Sequence, residues 1–307
     1  MQLTMRRFTT ENDYWRIREF LRRVFLANDL VEHSWQVYRF DYWCWHGILN
    51  MGDGSLENDV FLWENSDGEL AAVLNREAPG SCWLQIDPQL RSAELESEMI
   101  SVAEKHLSAP LDSGRRVRVW ASEGDPLREP VLTDLGYAPG KAIEHMRRCD
   151  LATAQAEFGT PEGYSVRALG DEDELPERSH LSWLAFHPNE PFDDSLNGAW
   201  YRNVQRGPLY RRDLDLVAVA PDGSLAAFCT IWYDDVCRTA AYEPVGTAPE
   251  HQRKGLAQAV MSEGLRRARR LGASMAYVGS WNEATHRLYG SLGFTDCLIA
   301  RGWDKRL

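Results

Sequence analysis

The 307-residue sequence lacks several features that would place it in a special class of protein. It has no apolar run near the ~18 residues of a membrane span. Residues 1–30 carry acidic and basic side chains throughout, instead of the apolar core of a signal peptide. Its six cysteines include no Cys-x-x-Cys pair, so neither a zinc site nor a disulfide framework is indicated. We therefore expect a cytoplasmic protein with no metal and no membrane attachment.

Positive charge is also scarce. The formal net charge is −12, because 34 Lys and Arg face 46 Asp and Glu. Residues 160–307 hold 17 basic and 20 acidic residues, which leaves 17 basic and 26 acidic residues in 1–159. A nucleic-acid surface would need a basic face. We expect no nucleic-acid partner, and we expect a solvated acidic surface on the first half of the chain.

The most informative segment is residues 249–257, which follows a strand-like stretch and opens an arginine-rich helical pattern. At a helix start the backbone N–H groups lack intrahelical partners and the helix dipole is positive, so an anion can bind there. Gly255 and Ala257 keep side chains out of its way. The segment therefore predicts a loop that holds a pyrophosphate.

This segment resembles the acyl-CoA signature of the GNAT superfamily of N-acyltransferases, Gln/Arg-x-x-Gly-x-Gly/Ala. Gln252, Gly255 and Ala257 match it, after a Val-x-x-x-Pro formed by Val245 and Pro249. The resemblance implies acetyl-CoA as the co-substrate and an acyltransferase activity.

Residues 282–294 resemble the second cofactor segment of the family, Asn-x-x-Ala-x-x-Leu-Tyr-x-x-Leu-Gly-Phe, with Thr285 where Ala is usual. A helical pattern and a short strand, 274–278, separate the two segments, and a terminal strand, 296–303, follows them. That order is the order of the family. Residues 160–307 are thereby identified as a member of it.

The two halves of the chain repeat each other at offsets of 155 to 161 residues. The resemblance thus implies a tandem protein with an α/β fold and mixed sheets. We predict a first domain at residues 1–151, a linker at 152–161 and a catalytic domain at 162–307. The repeated segments are residues 5–8 and 166–169, residues 67–72 and 222–227, and residues 135–137 and 292–294.

The first half has lost the cofactor motif. An alignment on the prolines before each motif places Glu94 and Glu96 at the positions of Gly255 and Ala257. Two carboxylates would then repel a pyrophosphate. We expect the first half to be a scaffold or a wall of the acceptor site. An aromatic series with helical spacing is either a core-facing stripe or the lining of that site: Trp35, Tyr38, Tyr42 and Trp45.

The resemblance also implies the catalytic groups. An amine like that of lysine has a pKa near ~10.4, so at pH 7 only about one molecule in 10³ is the free base. The family places a carboxylate base on its fourth strand, where this chain has Glu243. Asp234, Asp235 and His187 are alternative bases. Tyr289 matches the phenol that protonates the departing thiolate, and core packing is the alternative role for it.

The expected function is acetylation of a primary amine on a small molecule, by a monomer or a homodimer. Three alternatives stay open: acetylation of a cysteinyl sugar, as in mycothiol synthases, acetylation of protein lysines, and a non-catalytic acyl-CoA-binding regulatory module. Backbone groups of Val245 and Thr247 would pair with the pantetheine arm, and the side-chain amide of Asn282 would hold the cofactor. The predicted cofactor-binding residues are Val245, Gly246, Thr247, Gln252, Arg253, Lys254, Gly255, Leu256, Ala257 and Asn282.

Overall fold

A computed structural model describes residues 3–52, 54–153, 158–193, 195 and 198–307. The chain divides into two compact units. Unit 1 comprises Met1–His145 and Leu298–Leu307, and unit 2 comprises Met146–Cys297. These bounds differ from the predicted domain ranges, which were placed by the internal repeat alone. Part of the predicted linker, residues 154–157, lies outside the described residues.

Unit 1 contains a mixed sheet with strands paired in the order β1-β2-β3-β4-β6-β13, in which β4 and β6 are parallel and the other neighbours are antiparallel. The short β5 pairs with β6. A π-helical segment, Trp43–Ile48, follows the second helix. The strands are β1 Thr4–Arg7, β2 Val60–Glu64, β3 Leu70–Ala78, β4 Ser81–Ile86, β5 Ala109–Pro110, β6 Arg115–Ser122, β7 Ala138–Asp150 and β13 Asp296–Arg306; the helices are α1 Glu11–Ala27, α2 Val37–Tyr42, α3 Leu49–Met51, α4 Leu56–Asp59, α5 Ala93–His106 and α6 Arg128–Asp134.

The core of unit 1 lies between this sheet and α5, whose apolar residues recur at helical spacing and turn one face inward. Trp303, on β13, belongs to this core. β13 pairs with β6 from Ala300 opposite Ser122 to Arg306 opposite Arg116. The terminal strand predicted for the second domain is therefore present, but from Leu298 onward it belongs to unit 1.

The aromatic series in unit 1 favours the core interpretation. Trp35 and Tyr38 are buried. Trp35 packs against Trp83 with ring centroids 6.4 Å apart. Tyr42 and Trp45 are half-buried, the latter within the π-helical segment. The four rings therefore do not share one regular helical face.

Unit 2 contains a mixed sheet in the order β8-β9-β10-β11-β12, antiparallel except for the parallel pair β11 and β12. The predicted helix and strand between the two motifs are both present, and the predicted α/β class with mixed sheets is confirmed. The strands are β8 Ser165–Ala168, β9 Asp215–Val219, β10 Leu225–Asp234, β11 Thr239–Thr247 and β12 Met275–Ser280; the helices are α7 Leu175–Phe186, α8 Ala199–Gln205, α9 Leu256–Arg270 and α10 Glu283–Ser291, with short 3-10 turns at Glu172–Glu174, Arg212–Leu214 and Pro249–His251.

Helix α9 lies against β10 and β11 and fixes the position of the predicted pyrophosphate loop. Its buried face carries Leu256, Val260 and Leu265. At Gly264 a Cβ atom would overlap the side chain of Ile231, so only glycine permits this close approach of helix and sheet. The N-terminus of α9 is thereby held beside the end of β11.

Candidate functional site

Strands β11 and β12 pair only over their first residues. The parallel register runs from Thr239 and Met275 to Ala241 and Tyr277. The pairing of β10 with β11 continues to Thr247. Within the described part of unit 2, β11 beyond Ala241 is therefore paired on one side only. Its other edge offers backbone groups to a ligand that binds as an added strand.

A β-bulge lies at the start of this open edge. Cys229 is opposite Val245 and Ile231 is opposite Tyr242, so Thr230 alone faces two residues of β11. Those two residues are Glu243 and Pro244. A bulge bends its strand and redirects a side chain. The partly exposed Glu243 thus lies where the open edge begins.

Gly246 brings the end of α7 close to the open edge. A Cβ atom at Gly246 would lie 2.9 Å from the Cβ of Ala185 and would also overlap the ring of Phe228. Glycine is therefore needed here for packing. His187 follows α7 immediately, stacked on Trp183 with ring centroids 4.3 Å apart.

Tyr289, on α10, is in the core of unit 2 and is 5% exposed. Burial raises the pKa of its phenol, and the nearby charges of Cys229 and Glu243 raise it further. Among the described residues, the hydroxyl group has no hydrogen-bond partner. The charge of Glu243 therefore affects the pKa of the Tyr289 phenol, although the two residues are 46 positions apart in the sequence.

The predicted pyrophosphate loop ends at Gly255, the N-cap of α9, which has φ +83°. No side chain caps this helix. The first N–H groups of α9 therefore have no side-chain acceptor, and the positive end of the dipole is open to an anion. Gln252 Nε2 donates to the carbonyl oxygen of Thr247 at 3.3 Å, which links the loop to the open edge.

Tyr164, which sequence reasoning missed, contacts the other side of this loop. Its hydroxyl lies 3.0 Å from Nδ1 of His251 and accepts from Nζ of Lys254 at 3.2 Å. Pro161 lies 3.9 Å from the position that a Cβ of Gly255 would occupy. The loop is thus supported by residues before β8, where the sequence offers no motif.

Asn282 is the N-cap of α10. Its Oδ1 accepts the N–H of Thr285 at 3.0 Å, and its own N–H donates to Thr285 Oγ1 at 3.3 Å. Thr285, the departure from the family pattern, completes this capping box. Because capping uses Oδ1, the predicted role of Asn282 in holding the cofactor falls to its Nδ2 group.

Unit 1 differs at the corresponding helix start. Ser92 is the N-cap of α5 and accepts the N–H of Leu95 at 3.2 Å. Ser92 therefore corresponds to Gly255, and the alignment on the prolines is two residues out of register. Glu94 is exposed in the first turn of α5. Glu96 is 0% exposed and bonded to Arg91 and Arg128, so the prediction that it projects toward a phosphate is wrong.

The alternative carboxylate bases lie at the far end of the hairpin. Asp234 is opposite Thr239, where β10 turns into β11, and Asp235 lies in the turn itself. Four residues separate Thr239 from Glu243, a distance of about 13 Å at ~3.3 Å per residue. Of the predicted bases, Glu243 lies at the open edge, His187 follows the helix that packs against Gly246, and Asp234 and Asp235 lie at the far end of the hairpin.

In the part of the chain that the structure describes, no group of three or more His, Cys, Asp or Glu residues could hold a metal ion. Over the same residues, no helix has the length and apolar character of a membrane span.

Comparison with protein families places residues 175–294 in a match to the acetyltransferase (GNAT) family. A mycothiol acetyltransferase of Streptomyces griseus is 28% identical over 197 residues, which cover 60% of each chain. Another mycothiol acetyltransferase, of Acidothermus cellulolyticus, is 28% identical over 294 residues, which cover 84% of each chain. The match to the Streptomyces griseus protein thus spans less than two thirds of that relative.

Two solved structures resemble the whole chain in fold. A GCN5-related N-acetyltransferase from Sphaerobacter thermophilus matches with a TM-score of 0.66 and 20% identity, over 99% of this chain and 95% of that one. A tandem GNAT protein from the clavulanic acid biosynthesis pathway matches with a TM-score of 0.68 and 12% identity, over 99% of this chain and 98% of that one. At such identities the similarity establishes the fold alone.

Proposed function

Because the chain belongs to the GNAT acetyltransferase family and is an acyltransferase, as its motifs predict, we propose that it transfers an acetyl group from acetyl-CoA to a primary amine of a small molecule. The observation that carries this proposal is the open edge of β11, with Glu243 at its start and Tyr289 within electrostatic reach.

The residues around this edge suit acetyl-CoA. The uncapped N-terminus of α9 takes the pyrophosphate, with Gly255 at the cap and Lys254 and His251 nearby. Backbone groups of Val245 and Thr247 on the unpaired side of β11 take the pantetheine arm. When bound, acetyl-CoA supplies the thioester carbonyl that the amine attacks.

In this proposal, two side chains act as general base and general acid. Glu243 accepts a proton from the acceptor amine, since free amine is scarce at neutral pH. Tyr289 donates a proton to the departing thiolate. Its raised pKa keeps the phenol protonated at neutral pH, which a proton donor requires. Such acid–base assistance contributes roughly 10²–10⁴-fold to a rate.

We assign acetyl-CoA binding to the second half of the chain, residues 162–307, and no cofactor to the first, residues 1–151. In unit 1 the start of α5 already has an acceptor for its backbone in Ser92, and Glu94 adds negative charge there. The start of α9 has neither feature.

A second candidate function is acetylation of the amine of a cysteinyl sugar thiol. Both of the sequence relatives described above are named mycothiol acetyltransferases. A purely regulatory acyl-CoA-binding module is less well supported, because binding alone does not need a base and an acid at one edge.

The test is an acetyl-CoA turnover assay with thiol release as the readout, across aminoglycosides, polyamines, amino acids, peptides and a cysteinyl sugar. With the best acceptor, Glu243→Gln lowers kcat/KM at pH 7 at least about tenfold, and raising the pH to 9 recovers part of the loss by supplying free amine. Asp235→Asn, which removes a carboxylate from the far end of the same hairpin, is the matched control and keeps wild-type turnover.

Two results would contradict the proposal. Acetyl-CoA binding without turnover of any amine would favour the regulatory module. Wild-type activity of Glu243→Gln from pH 6 to pH 9 would move the role of base to His187 or to a water.

A further inference from the structure

The bulge in β11 interrupts the regular backbone pairing with β10. Thr230 has two residues opposite it, Glu243 and Pro244, so the strand ladder is locally disrupted there. Pro244 has no N–H to offer. A side-chain donor can hold a carbonyl group at such a disruption.

That donor is Trp232. Its Nε1 donates to the carbonyl oxygen of Glu243 at 2.5 Å. The indole ring is 1% exposed and belongs to β10, the strand that faces the bulge. The indole N–H of Trp232 thus bonds the backbone of Glu243, the residue whose carboxylate is the candidate base.

The indole ring is itself held in place by the segment after α8. The ring of Tyr210 lies edge-on to it, with centroids 6.4 Å apart. At Gly207 a Cβ atom would lie 2.9 Å from Cζ3 of Trp232, so any larger residue must displace the ring. Tyr210 in turn donates to the buried carboxylate of Asp215 at 2.8 Å. The ring therefore has little freedom to move.

We propose that Trp232 is a positioning residue for Glu243: its indole N–H fixes the bulge and thereby aims the Glu243 carboxylate at the acceptor amine. This inference rests on the proposed function of Glu243. The carbonyl carbon and the Cβ atom of Glu243 are both bonded to its Cα atom. A backbone shift that moves the carbonyl group and this Cα atom therefore also redirects the carboxylate. A base displaced by ~1 Å can lose about 10²-fold in rate.

Trp232→Phe keeps an aromatic ring and removes the donor. At pH 7 we expect it to lower kcat/KM for the amine about tenfold, with an unchanged Kd for acetyl-CoA and with partial recovery at pH 9. The decisive comparison is a double-mutant cycle. Because Trp232 acts through Glu243, Trp232→Phe has no further effect in a Glu243→Gln enzyme.

Trp63→Phe is the matched control. Trp63 is also fully buried, and its indole N–H donates to Glu98 Oε1 at 2.8 Å, but it lies in unit 1. It reports the general cost of losing a buried indole, and its turnover at pH 7 and pH 9 equals the wild type. If Trp232→Phe does not fold, Gly207→Ala takes its place in the same cycle. The added Cβ atom displaces the indole ring of Trp232 without removing it.

The outcomes separate the inference from the proposed function. A Trp232→Phe or Gly207→Ala loss that multiplies with the Glu243→Gln loss would assign Trp232 a purely structural role and overturn the inference alone. Wild-type kcat/KM in the single variant would do the same. A fully active Glu243→Gln enzyme would overturn the assignment of the base, and the inference with it.

Discussion

At the scale of single residues, Arg178 and Asp215 form a deeply buried pair of charged side chains in unit 2. Both side chains have 0% exposure, and Arg178 Nε lies 3.9 Å from Asp215 Oδ1. The carboxylate also accepts from Tyr201, Tyr210 and Thr230. Burial raises the pKa of Asp215 above its usual value, while the charge of Arg178 lowers it. Removal of either partner would leave an uncompensated buried charge.

Arg178→Met should lower the free energy of unfolding at pH 7 by about 3–5 kcal/mol. Because the pKa of Asp215 is raised in the folded state, the folded protein keeps this proton at pH values where the unfolded chain has lost it. Stability from this group therefore rises as the pH falls through the folded-state pKa, and the loss should be smaller at pH 5 than at pH 7. Urea unfolding of the wild type and the variant at both pH values measures this loss in the free energy of unfolding.

The double variant Arg178→Met with Asp215→Asn is the control for this prediction. It removes both charges together, so it should recover part of the lost stability at pH 7. Equal losses at pH 5 and pH 7 in the single variant would show that the packing of the Arg178 stem, and not its charge, matters.

Tyr289→Phe should lower kcat about 10²-fold with a nearly unchanged Kd for acetyl-CoA, because the ring stays and only the proton donor is lost. Tyr242→Phe is the matched control. Tyr242 is also buried and packs edge-on to Phe294 with centroids 5.7 Å apart, so loss of its hydroxyl should leave turnover unchanged. Steady-state kinetics and titration calorimetry test both. Weaker binding with normal turnover in Tyr289→Phe would reduce its role to packing.

Sequence patterns locate residues that belong to motifs and miss those that support them. Tyr289 belongs to the second cofactor segment, and Glu243 lies on the predicted strand just before Pro244 and Val245, so sequence patterns locate both. Trp232 and Tyr164 could not be located in this way, because each acts through one contact with a distant strand or loop and has no local signature. Glu96 was misplaced because the proline alignment could not register Ser92 as a helix cap.

At the scale of elements, β13 shows a second limit of sequence reasoning. The sequence predicts a terminal strand at residues 296–303, and a strand is present. Periodicity does not encode which neighbour a strand pairs with. Here the neighbour is β6, so that Ala300 is opposite Ser122, which lies far back in the chain. From Leu298 onward, the strand belongs to unit 1, whereas its place in the sequence is next to unit 2.

Deletion of residues 298–307 should destabilise unit 1, because it removes Trp303 from the core and exposes the edge of β6. Loss of a core tryptophan alone costs about 3–5 kcal/mol. Hydrogen exchange is the measurement: amides of β6 should lose protection, while those of β9 and β10 in unit 2 should keep theirs.

Two substitutions refine this test of β13. Trp303→Ala should give a weaker form of the same pattern. Trp281→Ala should leave exchange unchanged in both units, since Trp281 is 58% exposed. Loss of protection in unit 2 alone would contradict the assignment of β13 to unit 1.

At the scale of the whole molecule, two related units carry one proposed acetyl-CoA site. Titration calorimetry with acetyl-CoA should give a stoichiometry near one per chain. Gly255→Glu should abolish binding, because it adds a carboxylate to the start of α9 and places a side chain at φ +83°.

Glu94→Ala is the control at the other helix. Ser92 still caps α5 in that variant, so the stoichiometry should stay near one. A stoichiometry of two for the wild-type protein would show that a capped helix start with an acidic first turn does not prevent binding.

The division of the chain into units has a consequence for its synthesis on the ribosome. Unit 2 is continuous in sequence, whereas the sheet of unit 1 includes residues that are translated after all of unit 2. At about 5–20 residues per second, the first 145 residues wait roughly 8–30 s for their last strand. During that interval β6 has an unpaired edge where β13 will lie, and such an edge is a target for association between nascent chains. The half of the protein that is made first is therefore the half that is finished last.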